Sequence, residues 1–177
     1  MTRYVAFLRA VNVGGHAVFK MDVLVRSLEK AGLFNVNSYR QSGNVVFDSH
    51  IANDEMIEGI ILEQLKLLSG VRTDVFLFRF EKMRSLVADD PFKGHLMEGD
   101  RAFATLLSRG PDEVPDIPLP LQEGISLIDV IGDIALSVVR KDVGSGPVND
   151  LLETRFGVTA TTRNWSTVKG LVKKSGN

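Results

Sequence analysis

Six polar residues near the start of the sequence have the types and spacing of an anion-binding site. They are Arg9, Asn12, Arg40, Gln41, Ser42 and Asn44. Two guanidinium groups can hold a carboxylate or a phosphate with forked donors, and the amides and the hydroxyl can complete its hydrogen bonds. The sequence therefore predicts a small polar site, provided that the fold brings the two stretches together.

The same residues also have a structural explanation. The stretch "QSGN" is typical of a turn, Asn12 can close a loop, and Arg9 can pair with an acid such as Asp48. His16 follows two glycines and is a general-base candidate because its ordinary pKa lies near neutrality. A solvated loop histidine is the alternative at that position.

A second candidate stretch is "TTRNW" near the end of the sequence. Asn164 is a suitable N-cap, and the helix that follows has Trp165 on its apolar face, so the tryptophan is expected to anchor this helix to the core. Thr161 and Arg163 precede the helix. We expect the guanidinium of Arg163 to lie beside helix N-terminal amides, a setting that favours anions.

Several kinds of chemistry have no support in the sequence. There is no cysteine, which excludes disulfides, thiolate catalysis and iron–sulfur ligation. The three histidines lack the spacing of metal ligands on one helix face. Lys20 does not complete a P-loop, and the dinucleotide fingerprint and the G-x-S-x-G elbow are missing. We predict no metal and no cofactor, and nothing selects an enzymatic reaction.

Composition favours a soluble cytoplasmic protein. The absence of cysteine is typical of an intracellular chain, and no stretch approaches the about 20 apolar residues of a membrane span. The 21 basic and 22 acidic residues nearly cancel, so the overall field does not attract a phosphate backbone. This disfavours nucleic-acid binding without excluding it. Oligomeric state is left open.

The first half of the sequence predicts the order β-α-β-β-α-β. An apolar run over residues 3–11 predicts a strand, and a stripe beginning at Met21 predicts a helix that ends near Gly32. A hairpin around "SGN" follows, with Gly43 and Asn44 expected to take positive φ. A second helix starts near Asn53, and the fourth strand covers residues 74–80. This is the ferredoxin-like split βαβ unit.

The second half repeats the positions of the glycines that form the hairpin turn and end the second helix. The hairpin glycines Gly43 and Gly132 are 89 residues apart, and the helix-ending glycines Gly70 and Gly157 are 87 apart. Residues 110–124 hold four of the six prolines, so the first helix of this half is expected to be short or replaced by a loop.

The predicted fold class is α+β, with duplicated ferredoxin-like βαββαβ units, two antiparallel sheets, a bridging helix and a C-terminal helix. The first unit covers residues 1–80, the bridging helix and linker 81–100, and the degenerate second unit 101–177. In this fold the first strand lies beside the third, so its end meets the hairpin. Arg9 and Asn12 are thus expected near Arg40, Gln41, Ser42 and Asn44.

Three stretches together, "RYVAFLRAVNVGG", "SYRQSGNVVF" and "GVTATTRNWSTV", resemble a bacterial family known as domain of unknown function 1697. The resemblance implies two ferredoxin-like halves and no established activity. Its motifs carry over as candidate functional positions, which are Arg9, Asn12, Gln41, Ser42, Asn44, Thr161, Arg163, Asn164 and Trp165. Members commonly look like "G-R-S-K" before the last full helix, where this chain has "GSGP" from Gly144 to Pro147. The basic pair is therefore absent here.

The functional expectation is a protein that binds a small anionic or nucleotide-like ligand near the junction of its two halves. One alternative is a nucleic-acid-binding module, since ferredoxin-like sheets are also the RRM scaffold, although the third strand "NVVFDS" lacks the RRM aromatic pattern. Another is a structural or partner-binding protein without a small ligand. The first expectation has a condition, because "TTRNW" leaves its sheet at the edge opposite to the hairpin. This stretch reaches the polar residues of the first unit only if the two units pack with those edges facing each other.

Overall fold

The protein is described by a computed structural model that covers residues 1–12 and 19–176. It is a mixed α+β structure with two antiparallel sheets, of four and five strands. The chain divides into two compact units, which we call the first unit and the second unit. The first contains Met1–Ser85 and the last residues of the chain, and the second contains Leu86–Lys174.

The first unit has the predicted element order, followed directly by the bridging helix α3. Its elements are β1 (Thr2–Leu8), α1 (Met21–Lys30), β2 (Phe34–Ser38), β3 (Asn44–Ser49), α2 (Asp54–Ser69), β4 (Val75–Arg79) and α3 (Phe80–Ala88). The strands lie in the order β2-β3-β1-β4. This is the order 4-1-3-2 that the split βαβ unit requires.

Local sequence accounts for the two helices of this unit. Helix α1 buries one stripe and α2 buries Ile57, Ile61 and Leu65 against the same face of the sheet. The Asn53 side chain accepts a hydrogen bond from the Met56 N–H at 2.9 Å, so it is an N-cap as predicted. Gly70 ends α2 in the left-handed region with φ +69°.

The second unit repeats this order with one replacement. Its elements are β5 (Arg101–Leu107), β6 (Leu119–Gln122), β7 (Ile125–Ile131), β8 (Ile134–Val139), α4 (Val148–Phe156), β9 (Ala160–Asn164) and α5 (Trp165–Ser175). The strand order is β6-β7-β8-β5-β9. Without the edge strand β6, it is the order of the first unit. The helix expected to be short or lost is replaced by an irregular segment that ends in β6.

Several local features of the strands differ from the sequence-based expectation. Strand β1 ends at Leu8 and β2 ends at Ser38, because the residues that follow turn the chain: Ala10, Asn12 and Arg40 have φ of 50°, 55° and 59°. Asn44 does not share the positive φ of Gly43 and instead starts β3. Strand β6 was not predicted, because prolines usually exclude a strand, yet Pro120 pairs with Ser126 at the sheet edge.

Candidate functional site

The six polar residues of the first unit, which we call the hairpin cluster, lie together. They are Arg9, Asn12, Arg40, Gln41, Ser42 and Asn44. The Leu8 N–H donates to the Gly43 carbonyl at 2.8 Å, which joins the end of β1 to the turn between β2 and β3. The strand arrangement therefore positions the cluster in the way that the sequence predicted.

Both asparagines of the hairpin cluster stabilise the loops that carry it. The Asn12 side chain donates to the Gln41 carbonyl at 3.1 Å and accepts from the Phe19 N–H at 3.0 Å. The Asn44 side chain is fully buried and donates to the Tyr39 carbonyl at 2.9 Å and to Ser42 Oγ at 3.0 Å. These two amides are therefore part of the scaffold.

The two arginines of the cluster differ in their contacts. Arg9 Nη1 lies 3.3 Å from Asp74 Oδ2, whereas Asp48, the acid considered for it from the sequence, is paired with Arg3 at 2.8 Å. The Arg3 hydrogen bond, assisted by the Asn35 amide, holds the pKa of Asp48 below its usual range. Arg40 is exposed, and its guanidinium carbon lies 5.6 Å from the centre of the Tyr39 ring.

Backbone strain accompanies this cluster. Ala10, Asn12 and Arg40 all occupy the left-handed region, which costs a residue with a side chain about 1–2 kcal/mol. Strain of this kind is often found at functional sites. The ligand-binding role of the hairpin cluster stays a prediction, because two of its members serve the fold and Arg9 has an acidic partner. His16 lies outside the described residues.

The "TTRNW" stretch is divided between β9 and α5. The strand ends at Asn164 and the helix starts at Trp165 without an intervening loop. The Asn164 side chain accepts from the Ser166 N–H at 2.9 Å and from the Ser166 hydroxyl at 2.7 Å. Asn164 therefore supports the first turn of the helix, as expected of an N-cap.

The guanidinium of Arg163 lies against its own strand. It donates to Thr161 Oγ1 at 2.8 Å and to the Thr162 carbonyl at 3.1 Å. Burial lowers the pKa of Arg163 to about 10, because a charged group loses hydration there. Thr161 is itself buried. The guanidinium of Arg163 was expected beside the helix N-terminal amides, and these two hydrogen bonds lie along β9.

A small cavity adjoins the start of α5, and we call it the α5 pocket. Its volume is about 210 Å³, and three segments of the second unit line it: the region before and at the start of β5, the junction of β9 and α5, and Lys169. The lining residues are Leu96, Asp100, Arg101, Ala102, Asn164, Trp165, Ser166 and Lys169. Two of the predicted site residues, Asn164 and Trp165, therefore line a cavity within one unit.

The α5 pocket carries an excess of positive charge. Asp100 is ion-paired with Arg140, and the Met97 N–H together with Arg140 holds the pKa of Asp100 below its usual range. The contacts of Arg101 are to neutral oxygens, Ser145 Oγ at 3.3 Å and the Val143 carbonyl. Within the described part of the chain, Lys169 forms no ion pair. Arg101 and Lys169 are thus two lining residues whose positive charges lack a carboxylate partner, and of these the Arg101 guanidinium is directed to the loop before α4.

Sequence reasoning did not select these two cations. Lys169 is one of several lysines of the last helix, and Arg101 is the first residue of β5. A helical side chain points toward the N-terminus of its helix, so Lys169 covers the first turn that Trp165 begins. That spacing of four residues was the available signal. The contacts of Arg101 depend on the loop before α4, which the sequence does not place.

In residues 1–12 and 19–176, no group of three or more histidine and carboxylate side chains is arranged to hold a metal ion. None of the helices in this part of the chain is both long and apolar enough to cross a membrane.

The fold and these sites define an α+β protein of two antiparallel sheets with a compact cationic pocket in its second unit. The model of the family described as "Protein of unknown function (DUF1697)" matches residues 1–117, and the chain belongs to this family. The solved structure of the conserved bacterial protein SP0830 from Streptococcus pneumoniae is similar, with a TM-score of 0.65, 22% identity and 97% coverage of each chain. That likeness shows the fold. The comparison with curated proteins finds no match.

Proposed function

We propose that this protein binds a small anion, a phosphate or carboxylate group of a metabolite, in the α5 pocket. The observation that carries the proposal is the meeting of Arg101, Lys169 and the first turn of α5 around one cavity. The Lys169 ammonium supplies a mobile charge and the positive end of the helix dipole adds to it, while the Arg101 guanidinium, held by Ser145 and Val143, adds its charge at longer range. We also propose a cytoplasmic location, which the cysteine-free sequence favours.

The size of the pocket limits the ligand. Sites for drug-sized molecules have volumes of about 300–1,000 Å³, and the α5 pocket has about 210 Å³. An orthophosphate, a small carboxylic acid or the terminal phosphate of a nucleotide suits this space better than a whole dinucleotide. The proposal therefore narrows a nucleotide-like ligand to its phosphate.

The small anion is favoured over a nucleic acid by the third strand of the first unit. RRM-type sheets stack bases on exposed aromatic residues of this strand. Here β3 is buried along its length, and Phe47 is only 1% exposed. A base has no aromatic platform at that position.

Isothermal titration calorimetry with inorganic phosphate and pyrophosphate tests the proposal, using Arg101→Gln and Lys169→Gln. Because a hydrogen bond to a charged group contributes about 1.5–3 kcal/mol, Lys169→Gln is expected to weaken binding about tenfold or more. Arg101→Gln is expected to weaken binding less, since its guanidinium is already held by Ser145 and Val143. Lys173→Gln is the matched control, since it removes an exposed charge from the last turn of the same helix. Its affinity should stay within about twofold of that of the unaltered protein.

Two results would contradict the proposal. One is the lack of saturable binding of either anion at concentrations up to about 10 mM. The other is equal weakening by Lys173→Gln and Lys169→Gln, which would indicate general charge attraction in place of a pocket. Circular dichroism of Arg101→Gln checks that the loop contacted by this side chain still supports the folded state.

A further inference from the structure

The two units cover their sheets with different elements. In the first unit, α1 and α2 pack against each other and against one face of the sheet. In the second unit, the chain between β5 and β7 contains no helix and includes only the short strand β6. Helix α4 therefore lacks the neighbour that α2 has within its own unit.

Helices α2 and α4 correspond residue by residue. Both end at a glycine in the left-handed region, Gly70 or Gly157, whose N–H donates to the carbonyl four residues earlier at 2.9 Å. With the offset of 87 residues between these glycines, Ile61 corresponds to Val148 and Leu65 to Leu152. All four of these side chains are buried. The burial pattern thus supports the alignment.

The face of α2 that meets α1 has a counterpart on α4. Ser27 of α1 donates to Gln64 Oε1 at 2.5 Å, which places Gln64 on that face. Residues four apart share a helix face, so residues 60, 64 and 68 form the stripe. Their counterparts are Pro147, Leu151 and Arg155.

These three counterparts line a groove of about 560 Å³, which we call the α4 groove. It is lined by Leu119, Pro120, Leu121, Pro147, Asp150, Leu151, Thr154 and Arg155. The side chains of β6 provide one wall and α4 the other. The face that α2 turns toward a helix is therefore open on α4, and its central residue is Leu151 where α2 has a glutamine.

We propose that the α4 groove binds an amphipathic helix of a partner protein. The first unit shows what the corresponding face accepts: α1, a helix of ten residues with a buried stripe of Met21, Leu24 and Leu28. A partner helix would place a similar i, i+3, i+7 stripe against Leu119, Leu121 and Leu151. This interaction is separate from anion binding at the α5 pocket.

The charges at the groove specify the flanks of the partner. Asp150 lies one residue before Leu151 and Arg155 four residues after it, and both are exposed. A bound helix would therefore carry a cationic residue near Asp150 and an anionic residue near Arg155. Polar flanks of this kind set the direction of the helix in the groove.

The probe is a peptide of residues 20–31, which contains α1, with Arg26→Lys so that a lactam bridge joins the Asp22 carboxyl to the lysine amine at these two exposed positions. The bridge is needed because isolated helices of this length are marginal in water. Fluorescence polarisation with the labelled peptide and the full chain should show saturable binding below about 1 mM. A control peptide with Leu24→Ser and Leu28→Ser should bind at least about tenfold more weakly.

Variants of the protein locate the site. Leu151→Asp should weaken peptide binding about tenfold or more, because a charge would face the apolar stripe. Leu67→Asp is the matched control, since this leucine of α2 is 71% exposed and lies outside the groove. Thr154→Arg, an exposed change that fills the groove without touching the core, should weaken binding even if Leu151→Asp unfolds the protein.

Three outcomes would overturn the proposal. They are no saturable binding of the peptide, equal binding by the control peptide, and unchanged binding by Thr154→Arg. Analytical ultracentrifugation adds a fourth: self-association of the chain that Thr154→Arg abolishes would assign the groove to a second copy in place of a partner helix.

Discussion

Gly43 lies where the hairpin of the first unit meets the end of β1. Its φ is +70°, and a Cβ built at this position would lie 3.0 Å from Leu8 Cβ, 3.2 Å from the Leu8 carbonyl oxygen and 3.2 Å from Val11 Cβ. The backbone conformation and the close approach thus both require a glycine. The close approach at Gly43 therefore places the exposed side chains of the turn near Arg9.

Gly43→Ala is expected to destabilise the protein by about 3 kcal/mol, since the left-handed conformation and the steric overlap both add to the cost. Gly70→Ala is the matched control, because Gly70 has φ +69° with no atom within 4 Å of a built Cβ. The control should lose only about 1–2 kcal/mol. Urea unfolding followed by circular dichroism measures both values, and equal losses would contradict the steric argument.

Residue types were easier to predict than residue partners. The sequence identified the members of the hairpin cluster, because turn chemistry and strand order are local and regular. It did not identify Asp74 as the partner of Arg9, since that contact joins residues 65 positions apart. For the same reason it missed Arg101, whose neutral partners lie in the loop before α4.

At the scale of elements, α5 shows how one side chain fastens a helix. Trp165 is 3% exposed, and its ring centre lies 5.2 Å from that of Phe92. Its indole Nε1 is buried, and no hydrogen-bond partner lies within the described residues. The expectation that Trp165 anchors this helix to the core agrees with this burial, and the unmatched N–H shows that packing provides the stabilisation.

Two substitutions of Trp165 separate packing from hydrogen bonding. Trp165→Ala should destabilise the protein by about 3–5 kcal/mol, because it leaves a large cavity. Trp165→Phe keeps a ring beside Phe92 and removes the unmatched N–H, so its loss should be clearly smaller, about 1–2 kcal/mol. Thermal and urea unfolding provide the comparison. Similar losses in both variants would show that the indole N–H contributes after all.

Helices were predicted more reliably than the irregular elements. The stripes of α1 and α2, the Asn53 cap and Gly70 all follow from local rules that the structure confirms. Strand β6 was missed because its prolines argue against a central strand, and an edge strand tolerates them. The last strand, predicted over residues 158–162, instead covers Ala160–Asn164, since its pairing with β5 fixes its limits.

At the scale of the molecule, the duplication extends to single backbone hydrogen bonds. Leu8 donates to Gly43 in the first unit, and Leu107 donates to Asp133 in the second, both at 2.8 Å. Arg9 and Ser108 follow these leucines and donate to the residue before the last repeat strand, Asp74 or Thr159. The two units thus share these backbone hydrogen bonds and differ in the side chain, which is an arginine at position 9 and a serine at position 108.

The repeat also indicates why function could be predicted less well than fold. Periodicity and turn signals occur twice, so each half supports the interpretation of the other. The candidate sites occur once each: the hairpin cluster in the first unit, and the α5 pocket and α4 groove in the second. Features without a counterpart depend on long-range contacts, which a single sequence does not specify.

The anion site of the second unit is tested most directly by a ¹H–¹⁵N NMR titration of the full chain with inorganic phosphate. Anion binding in the α5 pocket predicts saturable shifts of the Ser166 and Lys169 amides, which Lys169→Gln should weaken about tenfold or more, while the Arg40 to Ser42 amides of the hairpin cluster stay unchanged. Shifts confined to Arg40, Gln41 and Ser42, with none at Ser166 and Lys169, would contradict it and assign anion binding to the first unit.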